Sequence, residues 1–173
     1  MRKILIVVDM QNDFIDGALG TAEAVAIVPN VKKKIEEFDG LVLFTRDTHF
    51  DNYMETQEGM NLPVPHCIKN TDGWQIQSEL ESLRKTDAID KVTFGSSELG
   101  ALLRKLDKEE KIESLTFVGL CTDICVISNV MIAKAFLPEV PIIVDAKCCA
   151  GVSVETHENA LKAMEVCQVK IER

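Results

Sequence analysis

Short, almost continuously apolar runs alternate with stretches of helical periodicity along the whole chain, and this alternation restricts the fold more than any other feature. Ile4 to Val8, Leu41 to Thr45, Ile89 to Phe94, Ile112 to Val118, Ile142 to Asp145 and Gln168 to Ile171 have strand length. Between them lie helical patterns: the stretch after Thr21 carrying Val25, Ile27, Val28, Val31, Ile35 and Phe38 and closed by Gly40, then Gln77 to Arg84, Ser97 to Leu106, the segment from Thr122 to Pro138, and Val154 to Val166. Strands without polar alternation are covered on both faces. The expected fold is therefore a single-domain three-layer α/β sandwich over residues 1–173, its six-stranded, mostly parallel sheet covered by helices on both faces. One stretch breaks the rhythm. Arg46 to Gly73 is long and irregular, contains Pro63 and Pro65, and has the length at which a loop inside a domain is usually functional.

Composition removes several function classes. A formal charge of −9, with no long Lys/Arg cluster, gives no basic face for nucleic acid, and Lys32-Lys33-Lys34 reads as a solvated helix face. No apolar run reaches the length of a membrane span, and Met1 to Asp9 enters a strand-like run without a cleavage signature, which points to the cytoplasm. The six cysteines read as reduced thiols, because a chain with 46% apolar residues builds its core without disulfides. Cys121 and Cys125 are spaced C-x-x-x-C, which is neither the redox spacing nor half of a zinc ribbon.

In such sheets ligands bind beyond the carboxyl ends of the strands. The residues at those ends are Asp9, Asp47 with His49, Lys91, Cys121 with Cys125, and Asp145. Cys125 follows a strand that turns through Gly119 into a helix, with Thr122 as expected N-cap and Asp123 in the first turn. Unsatisfied N–H groups there lower a thiol pKa and bind an oxyanion, so Cys125 reads either as a nucleophile or as a buried core thiol. Asp9 reads as a proton carrier beside an apolar pocket or as a loop cap. Lys91 reads as the partner of a carboxylate or thiolate, or as a surface lysine on an edge strand. Asp47 and His49, at i and i+2 of an extended segment, point to one side as two ligands of one ion do. His66, in the same long stretch, supplies a third ligand and Glu58 a fourth, directly or through water, in a set that suits zinc, manganese or iron. The bland alternative is that His49 and His66 are independent loop residues. His157 lies inside a helical pattern and reads as structural.

Five segments, in order, resemble the isochorismatase-like cysteine hydrolases, and the nicotinamidases among them. They are Val8-Asp9-Met10-Gln11-Asn12-Asp13-Phe14, Thr45-Arg46-Asp47-Thr48-His49, Pro65-His66-Cys67, Lys91-Val92-Thr93-Phe94-Gly95 and Gly119-Leu120-Cys121-Thr122-Asp123-Ile124-Cys125-Val126. The resemblance implies a catalytic triad of Asp9, Lys91 and Cys125, with an oxyanion hole from the backbone N–H groups of Cys121 and Cys125. It implies a cis peptide between Leu120 and Cys121, and a divalent metal, zinc first and manganese or iron otherwise, on Asp47, His49, Glu58 and His66. The activity implied is hydrolysis of a small-molecule amide, nicotinamide to nicotinate and ammonia in NAD salvage, and a homo-oligomer is a possible assembly, as is frequent in that family; charge and apolar-run length already argue against a nucleic acid or membrane partner. Phe14 matches a ring contact of that family. The tryptophan that nicotinamidases commonly carry shortly before Pro-x-His-Cys is absent: Leu62 and Val64 stand there, and Trp74 follows His66. This departure keeps open another carboxamide or carbamoyl hydrolase, and beyond it a non-catalytic protein that binds metal or ligand.

Overall fold

A computed structural model describes residues 1–173. Its six strands are β1 (Arg2–Val8), β2 (Leu41–Asp47), β3 (Ile89–Lys91), β4 (Ile112–Leu120), β5 (Ile142–Ala150) and β6 (Lys170–Glu172). They form one sheet in the order β3-β2-β1-β4-β5-β6, and all five pairings are parallel. The helices are α1 (Asn12–Ile15), α2 (Ala22–Glu37), α3 (Gln57–Asn61), α4 (Ser78–Glu81), α5 (Ser97–Glu109), α6 (Ile127–Phe136) and α7 (Val154–Val166). No helix is long and apolar enough to cross a membrane.

The central strand explains the layering. Ile4 through Val8 are fully buried, and because side chains alternate across a strand, Ile4, Ile6 and Val8 join one core while Leu5 and Val7 join the other. The first core takes Leu99 and Leu103 of α5, Val130 and Ala133 of α6, and Leu161 and Met164 of α7. The second takes Ala24, Ile27, Val28, Val31 and Ile35 of α2, with Phe14 and Trp74. Val25, expected on the apolar face of α2, is 48% exposed, because the helix turns Ala24 inward instead. Local chemistry sets the helix starts. Thr21 accepts from the Ala24 N–H, Ser96 from the Leu99 N–H, and Ser153 and Thr156 cap α7 reciprocally.

Three of the differences from the sequence pattern bear on the site. β3 stops at Lys91, and Val92 to Phe94 leave the sheet for a cleft rim. β5 runs on to Ala150 through an irregularity that realigns Cys149 with Gly119, so Asp145 lies inside the strand rather than at its end. The Arg46–Gly73 stretch is less irregular than its composition suggests. It holds a 3-10 turn (Tyr53–Glu55) and α3, and a parallel bridge between His49 and Ile68 ties it back beside β2.

Candidate active site

β1, β2, β3 and β4 all end at one edge, and each delivers a reactive group there. Asp9 follows β1 with a left-handed φ of 46°, a conformation that Asp tolerates better than most residues, and it is fully buried. Its Oδ1 accepts from Thr45 Oγ1 at 2.7 Å. Asp47 and Lys91 are neighbours in the β2–β3 register. Lys91, 3% exposed, sends Nζ to Asp9 Oδ2 at 2.6 Å, Asp47 Oδ1 at 3.1 Å and Cys125 Sγ at 3.3 Å. Asp9, Lys91 and Cys125 thus form one connected group.

Charge explains why the group is stable when buried. One ammonium between two carboxylates and a thiol is strongly favoured, and the Lys91 pKa lies well above its ordinary value although burial alone would lower it. Burial raises the Asp9 pKa, against which Lys91 pulls downward. Burial also raises the Cys125 pKa well above that of a free thiol, with the Asp9 charge acting in the same direction and Lys91 opposing. The expectation of a thiol acidified by a helix start is therefore corrected. Cys125 rests as a neutral thiol beside a carboxylate made more basic by burial.

The turn that carries Cys125 also differs from expectation. Thr122–Val126 is a π-type turn preceding α6, and Thr122 does not cap it. The N–H groups of Ile124 and Val126 both donate to Cys121 O, at 3.1 and 3.0 Å, whereas the Cys125 N–H between them does not share that acceptor. The Leu120–Cys121 peptide is cis. Cys121 borders the same cavity as Cys125, and burial pushes its thiol up to about 12.

Beside this group, the ligand atoms of Asp47, His49, Glu58 and His66 lie within 4.8 Å of one another. His66 Nδ1 is 2.8 Å from Val64 O, which fixes it as the protonated nitrogen and leaves the Nε2 lone pair facing the cluster. His49 Nε2 lies 2.9 Å from Asp47 Oδ2 and 3.5 Å from Glu58 Oε1 without the alignment for a hydrogen bond, and is buried without a partner. His66 Nε2 is 3.6 Å from each of the same oxygens. Ligands about 2.1 Å from a four-coordinate ion sit about 3.4 Å apart, so the residues present fit a divalent cation. The electrostatics agree. Burial lowers the His49 pKa, but Asp47 and Glu58 outweigh it and lift it to about 9, so the four side chains call for positive charge at their centre. Asp47 is held well below the usual carboxylate range, because His49, His66 and Lys91 overcome its burial.

Both groups open into one cavity of about 810 Å³. Phe14 lines it, with its ring 5.4 Å from that of His66. Leu62, Val92, Phe94 and Val152 supply an apolar rim. Trp74 does not reach it: the indole is buried elsewhere, donates from Nε1 to Thr48 Oγ1 and lies under the Arg46 guanidinium at 3.7 Å. Asp145, the remaining sheet-edge candidate, is occupied by Lys34 at 2.8 Å and takes no part.

Several supporting residues escaped the sequence pattern. Gln11 is fully buried, accepts the Asp47 N–H and donates to Asp47 O and Trp74 O, which fixes the end of β2. Its place two residues after Asp9 was the available signal. Tyr53 packs edgewise against His49 and His66 and donates to Leu62 O. Asn129 donates to Cys125 O at 2.8 Å and to Phe94 O at 3.1 Å. Nothing in sequence spacing distinguishes Tyr53 or Asn129 from ordinary polar residues.

The chain is 27% identical to a nicotinamidase/pyrazinamidase of Mycobacterium tuberculosis, over 98% of this chain and 97% of that one. It is similar to the crystal structure of a pyrazinamidase of Pyrococcus horikoshii in complex with zinc, at TM-score 0.81 and 28% identity over 100% and 99% of the two chains. It also resembles N-carbamoylsarcosine amidase from Thermoplasma acidophilum, at TM-score 0.76 and 27% identity over 100% and 96%. A model of the isochorismatase domain matches residues 3–172, and the chain belongs to the isochorismatase family.

Proposed function

We propose that this protein is a metal-containing cysteine amidohydrolase that converts nicotinamide to nicotinate and ammonia through a thioester on Cys125. The observation that carries the proposal is Lys91 Nζ, in simultaneous contact with Asp9, Asp47 and Cys125, of which Cys125 and Asp47 line a cavity that the four-residue cluster also borders. Asp9 takes the thiol proton as Sγ attacks the carboxamide carbon, and passes it to the departing amine. Ammonia leaves and a thioester remains. Asp9 then deprotonates the attacking water, the thioester breaks, and nicotinate and the Cys125 thiol are released. The Cys121 and Cys125 N–H groups receive the oxyanion, a contribution for which one lost donor costs about 10²–10³ in turnover. Lys91 keeps the alternating charges of Asp9 and Cys125 in register.

Asp47, His49, Glu58 and His66 would hold the divalent cation, zinc by analogy with the zinc complex of the Pyrococcus horikoshii relative, while the N/O donor set suits manganese or iron as well. When bound, it would supply a Lewis-acidic anchor for the substrate's ring, and the acyl chemistry would not pass through it. Phe14 contacts the ring from one side.

One observation favours a second reading, a carbamoyl hydrolase. Leu62 lines the cavity, in the stretch of sequence where the resemblance to nicotinamidases calls for a tryptophan, and no tryptophan reaches it. The similarity to the N-carbamoylsarcosine amidase supports it too. The test is ammonia release from a panel of nicotinamide, pyrazinamide and N-carbamoyl amino acids by zinc-loaded protein. Nicotinamide is expected to have the highest kcat/KM, and Cys125→Ala to abolish release while fold and metal content persist. A faster carbamoyl substrate transfers the assignment to the second reading. Full activity of Cys125→Ala removes the thioester. No release from any amide, with Cys125 inert to iodoacetamide, leaves a metal- or ligand-binding protein.

A further inference from the structure

The turn bearing Cys121 and Cys125 has no side-chain cap of its own, so contacts from outside must fix it. On its far side they come from α6: Asn129 donates to Cys125 O, and Ser128 Oγ to Ile124 O at 2.6 Å. On its near side they come from the β5–α7 junction. The fully buried Thr122 hydroxyl shares a hydrogen bond with His157 Nδ1 at 2.7 Å. The Val152 N–H donates to both carboxylate oxygens of Asp123, at 3.2 and 3.1 Å.

The junction is itself rigidly built. Ser153 caps α7 and its carbonyl accepts the His157 N–H at 3.0 Å, so the imidazole projects from a defined position in the first turn. A Cβ on Gly151 would sit 2.9 Å from both the backbone N and the Cβ of His157, so the chain entering α7 lies flush against that residue. Gly151 and Val152 also border the cavity. His157 therefore joins the wall of the site to the turn behind the thiol, although it touches neither Cys125 nor the space a substrate would occupy.

We propose that His157 is a positioning residue: acting through Thr122, it holds the Cys121–Val126 turn where the Cys125 thiol meets Lys91 and the two backbone N–H groups face the cavity. The proposal rests on the amidohydrolase reading above. Its physical basis is the tight tolerance of acyl transfer, in which a misplacement of about 1 Å costs about 10²-fold in rate. The Thr122 hydroxyl caps no helix, and the hydrogen bond it makes is the one to His157 Nδ1.

The test compares zinc-loaded wild type with His157→Leu, His157→Asn, Thr122→Val and the His157→Leu/Thr122→Val pair. Each of His157→Leu and Thr122→Val is expected to lower kcat on nicotinamide by about 10- to 100-fold with KM within about threefold, and the pair to be no worse than the poorer single variant. His157→Asn, whose amide reaches the position of Nδ1, is expected to keep kcat within about threefold of wild type. Hydrogen–deuterium exchange of the peptide covering residues 119–127 is expected to quicken in the Leu and Val variants and not in His157→Asn. Unchanged exchange overturns the proposal, as does faster exchange with unchanged kcat, or additive losses in the pair. Should His157→Leu not fold, Thr122→Val and His157→Asn decide by the same measurements. Wild type that releases no ammonia from any amide defeats the functional reading instead, and the exchange data still decide whether His157 holds the turn.

Discussion

At the residue scale, Asp9, Lys91 and Cys125 were legible because each stands at or near the carboxyl end of an apolar run, where a parallel sheet gathers its polar groups. Their protonation was not legible. Helix-start N–H groups suggest an acidic thiol, yet burial is the largest influence on Cys125, and burial belongs to the packed environment rather than to neighbours in sequence. The resulting division of labour makes a pH prediction. A carboxylate whose pKa is raised keeps its proton to higher pH, so in the proposed mechanism Asp9 would become a competent base only above its ordinary value of 3.8. The acid limb of kcat/KM is expected to be centred above 3.8, to shift in Asp9→Glu, and to be lost with all activity in Asp9→Asn. A limb centred at or below 3.8 in wild type contradicts the assignment.

Among the elements, β4 and the turn after it carry the greatest local constraint. Their existence is plain in the sequence, because an apolar run meets Gly119 and gives way to helical periodicity. Their exact form is not, since apolar spacing does not separate an i→i−4 turn from the i→i−5 bond that Val126 makes to Cys121 O. α3 was likewise invisible. Its five residues include Gly59, and it depends on the Thr56 cap rather than on periodicity. Gly119 itself is required twice over. It adopts φ +117°, and a Cβ there would lie 2.1 Å from Val8 O, its register partner in β1. The strand cannot relax without breaking the pairing that brings Asp9 beside the Cys125 turn. Gly119→Ala is expected to cost about 3 kcal/mol or more, seen as a lower urea midpoint at unchanged m-value. A loss under about 1 kcal/mol shows that β1 and β4 adjust freely.

For the molecule as a whole, alternating pattern predicted the sheet and its covered faces, because burial on both sides leaves a continuous apolar signature in each central strand. What pattern could not reveal is how the Arg46–Gly73 stretch folds back on that sheet. Its anchors are contacts between distant residues: the Cys67 N–H to Asp13 at 2.7 Å, Asn12 to Asp72 O at 2.8 Å, and the His49 N–H to Cys67 O at 2.9 Å. The proposed metal ligands extend the same logic. Asp47 and His49 come from the end of β2, Glu58 from α3, and His66 from the segment returning to the sheet, so one cation would clamp three separate pieces of chain. Without it, two imidazoles and two carboxylates remain crowded, with the His49 Nε2 unpartnered in the interior. Binding to the folded state alone stabilises by about 2.7 kcal/mol when free zinc is 100-fold above its Kd. For a chain of this size, that corresponds to a Tm about 5–10 °C higher than that of the chelated protein. His49→Ala is expected to melt near the chelated wild type whether or not zinc is added, and to bind zinc at well below one equivalent. Calorimetric scans with and without chelator, read against zinc content by elemental analysis, check this. A wild-type Tm that does not move when zinc is stripped means that the four residues are not a folding clamp, and the loop is then held by its hydrogen bonds alone.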